Sequence, residues 1–316
     1  MKSLDSFPRV SLGAFPTPIQ KLENISRLLH TNVYVKRDDL TGLGLGGNKV
    51  RKLEFLLADA KARGAEVVFT TGGAQSNHAM LTAAAAGKLG LQAILILKKR
   101  GVTACAGNLL LERLMGTDVR FMDTDDYADI YAEMDRVGRA LGKPWYKIPC
   151  GGSNALGTLG YVACAKEIAE QGMTFDHIVC AEGSGGTMAG MALGAKLFLP
   201  GTKVHGMMVD RDPFEEITPA LMREAAAMLE APVDITPEDY LLRDMCGPGY
   251  AIPSEAGNAA VSLMAKQEGL FLDPVYTGKA FAGLIELAKE GAFRPEDRVL
   301  FLHSGGAGGL FAVDME

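Results

Sequence analysis

The chain has 316 residues, 32 Lys and Arg against 38 Asp and Glu for a formal net charge of -6, and 48% apolar residues. That length allows two ordinary domains or one large α/β unit with an ample core. The acidic balance and the lack of a Lys/Arg-rich tract exclude a nucleic-acid partner from the expectations. Leu81 to Leu97, the most apolar run, is broken by Gly87, Lys88 and Gly90, so no membrane span is expected. The start MKSLDSFPRV carries an acidic residue and no apolar h-region, which leaves no signal peptide. Cys105, Cys150, Cys164, Cys180 and Cys246 show no CxxC pairing, a pattern that suits a reducing cytoplasm. The five histidines are dispersed, and no metal site is expected.

In chain order, Val33 to Val35 reads as a short strand, followed by Lys36-Arg37-Asp38-Asp39 and a glycine-rich bend ending Gly46-Gly47-Asn48. Asn48 is a suitable N-cap, and Leu53, Phe55, Leu56 and Leu57 begin an apolar helical pattern. Lys49, Arg51 and Lys52 then fall in the first helical turn, where each cation is unfavourable by about 0.3 to 1 kcal/mol against the macrodipole. Three breaches of a local rule in four residues mark a candidate site, although Asp38, Asp39 and Glu54 could simply neutralise the cluster.

Beyond the bend, β-branched runs alternate with helical ones. Val67 to Thr70, Ala93 to Leu97 and Val119 to Phe121 read as strands; Asn77 to Leu89, Ala106 to Met115 and Asp126 to Leu141 read as helices. Pro144 to Gly152 reads as a seam between two lobes. In the second half, helices are expected at Gly157 to Gln171, Thr187 to Leu199, Thr218 to Leu229, Ser254 to Glu268 and Gly278 to Glu290. Strands are expected at His177 to Cys180, Val204 to Val209 and Val299 to Leu302. The alternation predicts an α/β fold of open, mostly parallel sheets flanked by helices, with ligands at the carboxyl ends of the strands.

Three strand-to-helix loops stand out there. Thr71 to His78 offers a free helix start suited to a carboxylate, with Gln75, Ser76, Asn77 and His78 as hydrogen-bonding side chains. Glu182-Gly183-Ser184-Gly185-Gly186-Thr187 differs from the nucleotide-binding glycine signatures, but its amides and two hydroxyls suit a single phosphate. Ser304 to Gly309 is a third glycine-rich segment. Tyr250 and Tyr276 sit in Pro/Gly-containing loops, where a phenol either shuttles a proton or packs as core.

A lysine at a bend, a one-phosphate loop, a carboxylate loop and two loop tyrosines together describe a pyridoxal phosphate site. Deprotonating a free lysine at pH 7 costs roughly 4.6 kcal/mol, a cost that a Schiff base formed beforehand removes. The blocks KRDDLTGLGLGGNKVRKLEF, GGAQSNHAM, PCGGSNALGTLGYV, GSGGT, GPGYAIP, DPVYTGKA and HSGGAGGLF run in order along the chain. In them it resembles the D-cysteine desulfhydrase and 1-aminocyclopropane-1-carboxylate deaminase family of fold type II pyridoxal phosphate enzymes, which are tryptophan synthase β-like.

The resemblance implies a larger cofactor domain of residues 1–50 and 153–316, and a smaller α/β domain, 51–152, closing over the substrate. It implies that Lys49 carries the cofactor and acts as Cα base, and that Ser184, Gly185, Gly186 and Thr187 hold the phosphate. It further implies that Asn77 and Thr277 contact the ring, that Gln75, Ser76, Asn77 and His78 bind substrate, and that Ser76, Tyr250 and Tyr276 serve catalysis. Small amino-acid substrates, a homodimer and a cytoplasmic setting are implied as well.

Thr277 stands where the deaminase branch has a glutamate that keeps the ring nitrogen protonated. The resemblance therefore points to α,β-elimination from a β-substituted alanine, D-cysteine first, giving pyruvate, ammonia and sulfide. An L-cysteate sulfo-lyase and a cyclopropane deaminase are the alternatives. A non-catalytic pyridoxal phosphate buffer and a nicotinamide oxidoreductase are rivals of other classes. HSGGAGG departs from the HTGG of desulfhydrase-like relatives, and His78 from the deaminase glutamine, which leaves the substrate pocket open.

Overall fold

The computed structural model describes residues 1–313. In chain order the first elements are β1 (Ile19–Lys21), α1 (Glu23–Leu29), β2 (Asn32–Arg37), α2 (Lys49–Ala62), β3 (Val67–Thr70) and α3 (Asn77–Lys88). They are followed by β4 (Gln92–Lys98), α4 (Gly107–Leu114), β5 (Asp118–Met122), α5 (Tyr127–Leu141) and β6 (Trp145–Lys147). The second half adds α6 (Ala155–Glu170), β7 (His177–Glu182), α7 (Gly186–Phe198), β8 (Lys203–Met208), α8 (Phe214–Met228) and β9 (Leu241–Asp244). The remaining elements are α9 (Glu255–Glu268), α10 (Thr277–Lys289), β10 (Arg298–His303) and α11 (Ala307–Leu310).

The strands form a six-stranded sheet in the order β1-β2-β10-β7-β8-β9 and a four-stranded sheet in the order β5-β4-β3-β6. Only β1 is antiparallel; every other pairing is parallel. Such sheets must be covered on both faces, because their strands are apolar on both. Side chains alternate accordingly. Leu300 and Leu302 of β10 join Ile178 and Cys180 of β7 in the core under α6, α7 and α8. Val299 and Phe301 point the other way, with Val179, toward α9 and α10. In the smaller sheet Val68 faces α2 and α3, while Val67, Phe69, Ile94 and Ile96 face α5. Helix α2 begins at Lys49, so the boundary expected between residues 50 and 51 lies inside a continuous helix.

Five elements were not expected, among them the four-residue α11 in the last glycine-rich segment. β1, β6 and β9 span three or four residues at sheet edges, and α1 spans seven, too short for a periodic signal. β6 lies within the Pro144 to Gly152 seam and pairs with β3. Helix α8 starts at Phe214, four residues before the expected Thr218, because Pro219 is accommodated in its second turn at the cost of one intrahelical bond. Among the described residues no helix is long and apolar enough to cross a membrane.

Candidate active site

The carboxyl ends of the parallel strands from both sheets open into one cavity. Lys49 lies half-buried on its wall at the start of α2, and the desolvation it meets there lowers its amine from 10.5 to about 8. The Cys150 thiol and the Glu182 carboxylate nearby partly oppose that shift. The sequence expects Asn48 to cap this helix with its side chain. It does not; its backbone is already helical, and its Nδ2 reaches across to donate to Thr187 Oγ1 at 3.0 Å. The bend is held from the far side: Asn48 N donates to the Ser304 carbonyl at 3.0 Å, and a Cβ on Gly305 would lie 2.8 Å from the Gly47 Cα. That close approach, at a φ of +94° for Gly305, accounts for the last glycine-rich segment.

The other two cations of the first turn have separate partners. Arg51 is forked onto Asp38, with Nε and Nη2 each 2.8 Å from a carboxylate oxygen, and its Nη1 reaches Glu167 at 2.8 Å. Lys52 Nζ donates to the Gly151 carbonyl at 3.1 Å and to Ser153 Oγ at 3.2 Å, with no carboxylate bonded to it. Burial, and then the charge of Lys49, hold the Lys52 amine well below its ordinary range.

Lys52 lies beside the second loop. Ser153 Oγ accepts from Gly186 N at 3.1 Å and lies 2.9 Å from Ser184 Oγ. Cβ atoms on Gly151 and Gly186 would meet Ser184 Oγ at 2.1 Å and Lys52 Nζ at 2.9 Å, so both positions must be bare. A cradle of hydroxyls, amides and a buried lysine whose charge burial disfavours, at the start of the 13-residue α7, fits a phosphate: an anion there would stabilise the ammonium. Glu182 shares the cradle, its Oε1 accepting from the amides of Ser184 and Gly185 at 3.2 and 2.5 Å. Burial raises its carboxyl to about 7, so near neutrality it carries only part of a charge toward that anion.

The residues of the first loop divide. Ser76 caps α3, its Oγ accepting from Ala79 N at 3.2 Å, and Ser76 and Asn77 both line the cavity. Asn77 Oδ1 accepts from Asn108 Nδ2 at 2.7 Å, which leaves its own amide donors for a ligand. Gln75 turns away: it donates to the carbonyls of Val102 and Ala106 and accepts from Asn108 N at 2.8 Å, pinning the start of α4. His78 lines the cavity with its Nε2 2.8 Å from Thr70 Oγ1. Burial, and then Lys49 and Lys52, keep its imidazole far below the usual range and therefore neutral.

Tyr250 and Tyr276 meet across the cavity, Oη to Oη 2.5 Å, with rings edge to face at 6.0 Å. Burial raises both phenols, so each is a proton donor rather than an anion. Thr277 is buried just outside this wall; its hydroxyl donates to Asp273 Oδ1 at 2.7 Å and accepts from Asp273 N at 2.8 Å. Sequence reasoning did not single out Tyr127, Cys150 or Asp210, which also line the cavity, nor Ser153 beside it. Cys150 and Ser153 stand inside the PCGGSN block, whose glycines were its only visible signal.

Fold and site together define a pyridoxal phosphate enzyme. The family described as "Pyridoxal-phosphate dependent enzyme" matches residues 10–305, and the chain belongs to it. It is 45% identical over 98% of its length, and 94% of the relative's, to a protein of Pyrococcus horikoshii named putative 1-aminocyclopropane-1-carboxylate deaminase. It is 44% identical, over 98% of its length and 97% of the relative's, to the D-cysteine desulfhydrase of Yersinia enterocolitica. Among solved structures, a crystal structure of an ACC deaminase homologue superposes with a TM-score of 0.92 at 43% identity, covering 98% of this chain and 94% of the other. O-ureido-L-serine synthase, 17% identical over 99% of this chain and 93% of its own with a TM-score of 0.69, shares the fold.

Proposed function

We propose that the chain eliminates the β-substituent of a β-substituted alanine, with D-cysteine as substrate and pyruvate, ammonia and sulfide as products. The observation that carries this reading is Thr277, whose hydroxyl is committed to Asp273. Position 277 thus offers the cavity no carboxylate of the kind that ring opening needs. The names of the Pyrococcus and Yersinia relatives divide between the two reactions.

When bound, the cofactor supplies an electron sink for the carbanion left at Cα. Lys49 Nζ is the amine that would hold it, and Lys52, Ser153, Ser184, Gly185, Gly186 and Thr187 would hold its phosphate. Ser76 and the Asn77 amide bind the substrate carboxylate, in a setting where the neutral His78 adds polarity without charge. Lys49 Nζ, lowered to about 8, takes the Cα proton at neutral pH far more readily than an exposed lysine would. The Tyr250 and Tyr276 hydroxyls donate toward the substrate and shut out water.

Residues 51–152 act as a smaller unit closing over the larger one, as two separate sheets allow. Exposed Leu114 and Phe311, beside the packed helices α4 and α11, support burial in a homodimer. Five unpaired thiols support a cytoplasmic setting.

The test is a panel of D- and L-β-substituted alanines, D-cysteine and cysteate included, assayed for pyruvate beside the cyclopropane amino acid assayed for 2-oxobutanoate. Pyruvate and sulfide from D-cysteine support the reading. Dominant 2-oxobutanoate would replace it with the deaminase reaction, and dominant sulfite with the sulfo-lyase one.

A further inference from the structure

The cavity has a wall that the steps above do not use. Tyr127, the first residue of α5, places its Oη 3.1 Å from Cys150 Sγ, and both side chains line the cavity. Cys150 is the first residue of the turn after β6, and its amide is fixed by donation to Tyr131 Oη at 3.2 Å. The thiol shares the cavity lining with Lys49, Tyr250 and Tyr276, which places sulfur on the wall that the substrate would face. Behind Tyr127, the buried Lys98 holds its ammonium 3.4 Å from the ring centroid and donates to the Asp125 carbonyl at 2.5 Å. A cation over the ring draws electron density from the phenol and strengthens it as a donor.

We propose that Tyr127 and Cys150 form the compartment that receives the β-substituent, selecting a neutral, polarisable sulfur group whose departing anion the Tyr127 hydroxyl hydrogen-bonds. The inference rests on the elimination reading and names the substrate class within it. Among the described residues that line the cavity, Lys49 is the only lysine or arginine, while Glu182 and Asp210 are acidic. A sulfonate carries a full charge in the ground state and finds no cation on this wall; a thiol enters neutral. Tyr127 already hydrogen-bonds a sulfur atom, and burial keeps both its phenol and the Cys150 thiol protonated.

In the step itself, the Cα proton passes to Lys49 Nζ and the pair left behind forms the Cα–Cβ double bond. The Cβ–S bond breaks with its pair going to sulfur, and the group leaves as HS⁻. Tyr127 keeps its proton throughout and stabilises the anion by donation.

The test compares holoenzyme and its Tyr127→Phe and Cys150→Ser variants on D-cysteine and on β-chloro-D-alanine, whose chloride gains less from a strong donor. Tyr127→Phe should lower the ratio of kcat/KM for D-cysteine to that for the chloro compound by about tenfold or more. Retained visible absorbance shows that each variant still folds and loads cofactor. The contact is read separately through alkylation of Cys150 by iodoacetamide, followed by peptide mass spectrometry. Removing the phenol donor should slow it several-fold at pH 8, since the donor favours the thiolate. Equal losses on both substrates, or unchanged alkylation, would overturn the assignment while leaving elimination intact. No pyruvate from either substrate with wild-type enzyme would remove the elimination reading and this role together.

Discussion

At the residue scale, the first turn of α2 explains why a helix start tolerates three cations. Each has a different fate: Arg51 is neutralised by Asp38 and Glu167, Lys52 faces the anion cradle, and Lys49 is left to lose its proton. The sequence shows the misplaced charges but not their partners, because Glu167 is 116 residues away. The Lys49 amine has a testable consequence. Only the neutral form attacks an aldehyde, and a folded value of about 8 means that this form grows as pH rises toward 8. The rate of cofactor uptake by apoenzyme, followed by visible absorbance, should therefore rise about tenfold from pH 6 to 7, about fivefold from pH 7 to 8, and level off above. A rise continuing past pH 10 would mean an unperturbed lysine.

Helix α4 adds a feature at the scale of the element. Its start is tied to the Thr71 to His78 loop through Gln75 and Asn108, while Glu112 within it is fully buried and neither carboxylate oxygen has a hydrogen-bond partner. Burial raises that carboxyl from 4.5 to about 8. The folded value thus exceeds the unfolded one, so the folded state must hold a proton that the unfolded chain releases. Stability is intact below pH 4.5, falls as pH rises, and reaches its full loss at about 8. Glu112→Gln should stabilise the protein by an amount that grows across that window, on the order of 3 kcal/mol at pH 7, measured by urea unfolding. A difference independent of pH would place the carboxyl in water. Nothing in the sequence announces this residue, since one Glu in an eight-residue amphipathic helix reads as a solvent-facing charge.

At the scale of the whole molecule, the long buried strands and most helices were legible because their apolar periods are set by two-sided burial; β3 matches its expected Val67 to Thr70 span. The edge strands β1, β6 and β9 were not, because three or four residues carry no period. The site was legible in its loops and not in its direction. Ser76, Asn77, Ser184, Tyr250 and Tyr276 converge with Lys49, whereas Gln75 serves α4 and Thr277 serves Asp273. Side-chain direction depends on partners supplied by distant segments, such as Asn108 for the first loop. The proposed closure of residues 51–152 over the larger unit predicts that a D-amino acid lacking a leaving group slows amide exchange in the 72–78 and 107–114 segments. Unchanged exchange there would mean a preformed, rigid cleft.

The account depends above all on Lys49 holding the cofactor, and borohydride reduction of the holoprotein followed by peptide mass spectrometry tests this directly. The pyridoxyl group should be found on the peptide containing Lys49, at position 49 alone; its recovery on Lys52, or on no lysine at all, would contradict the account.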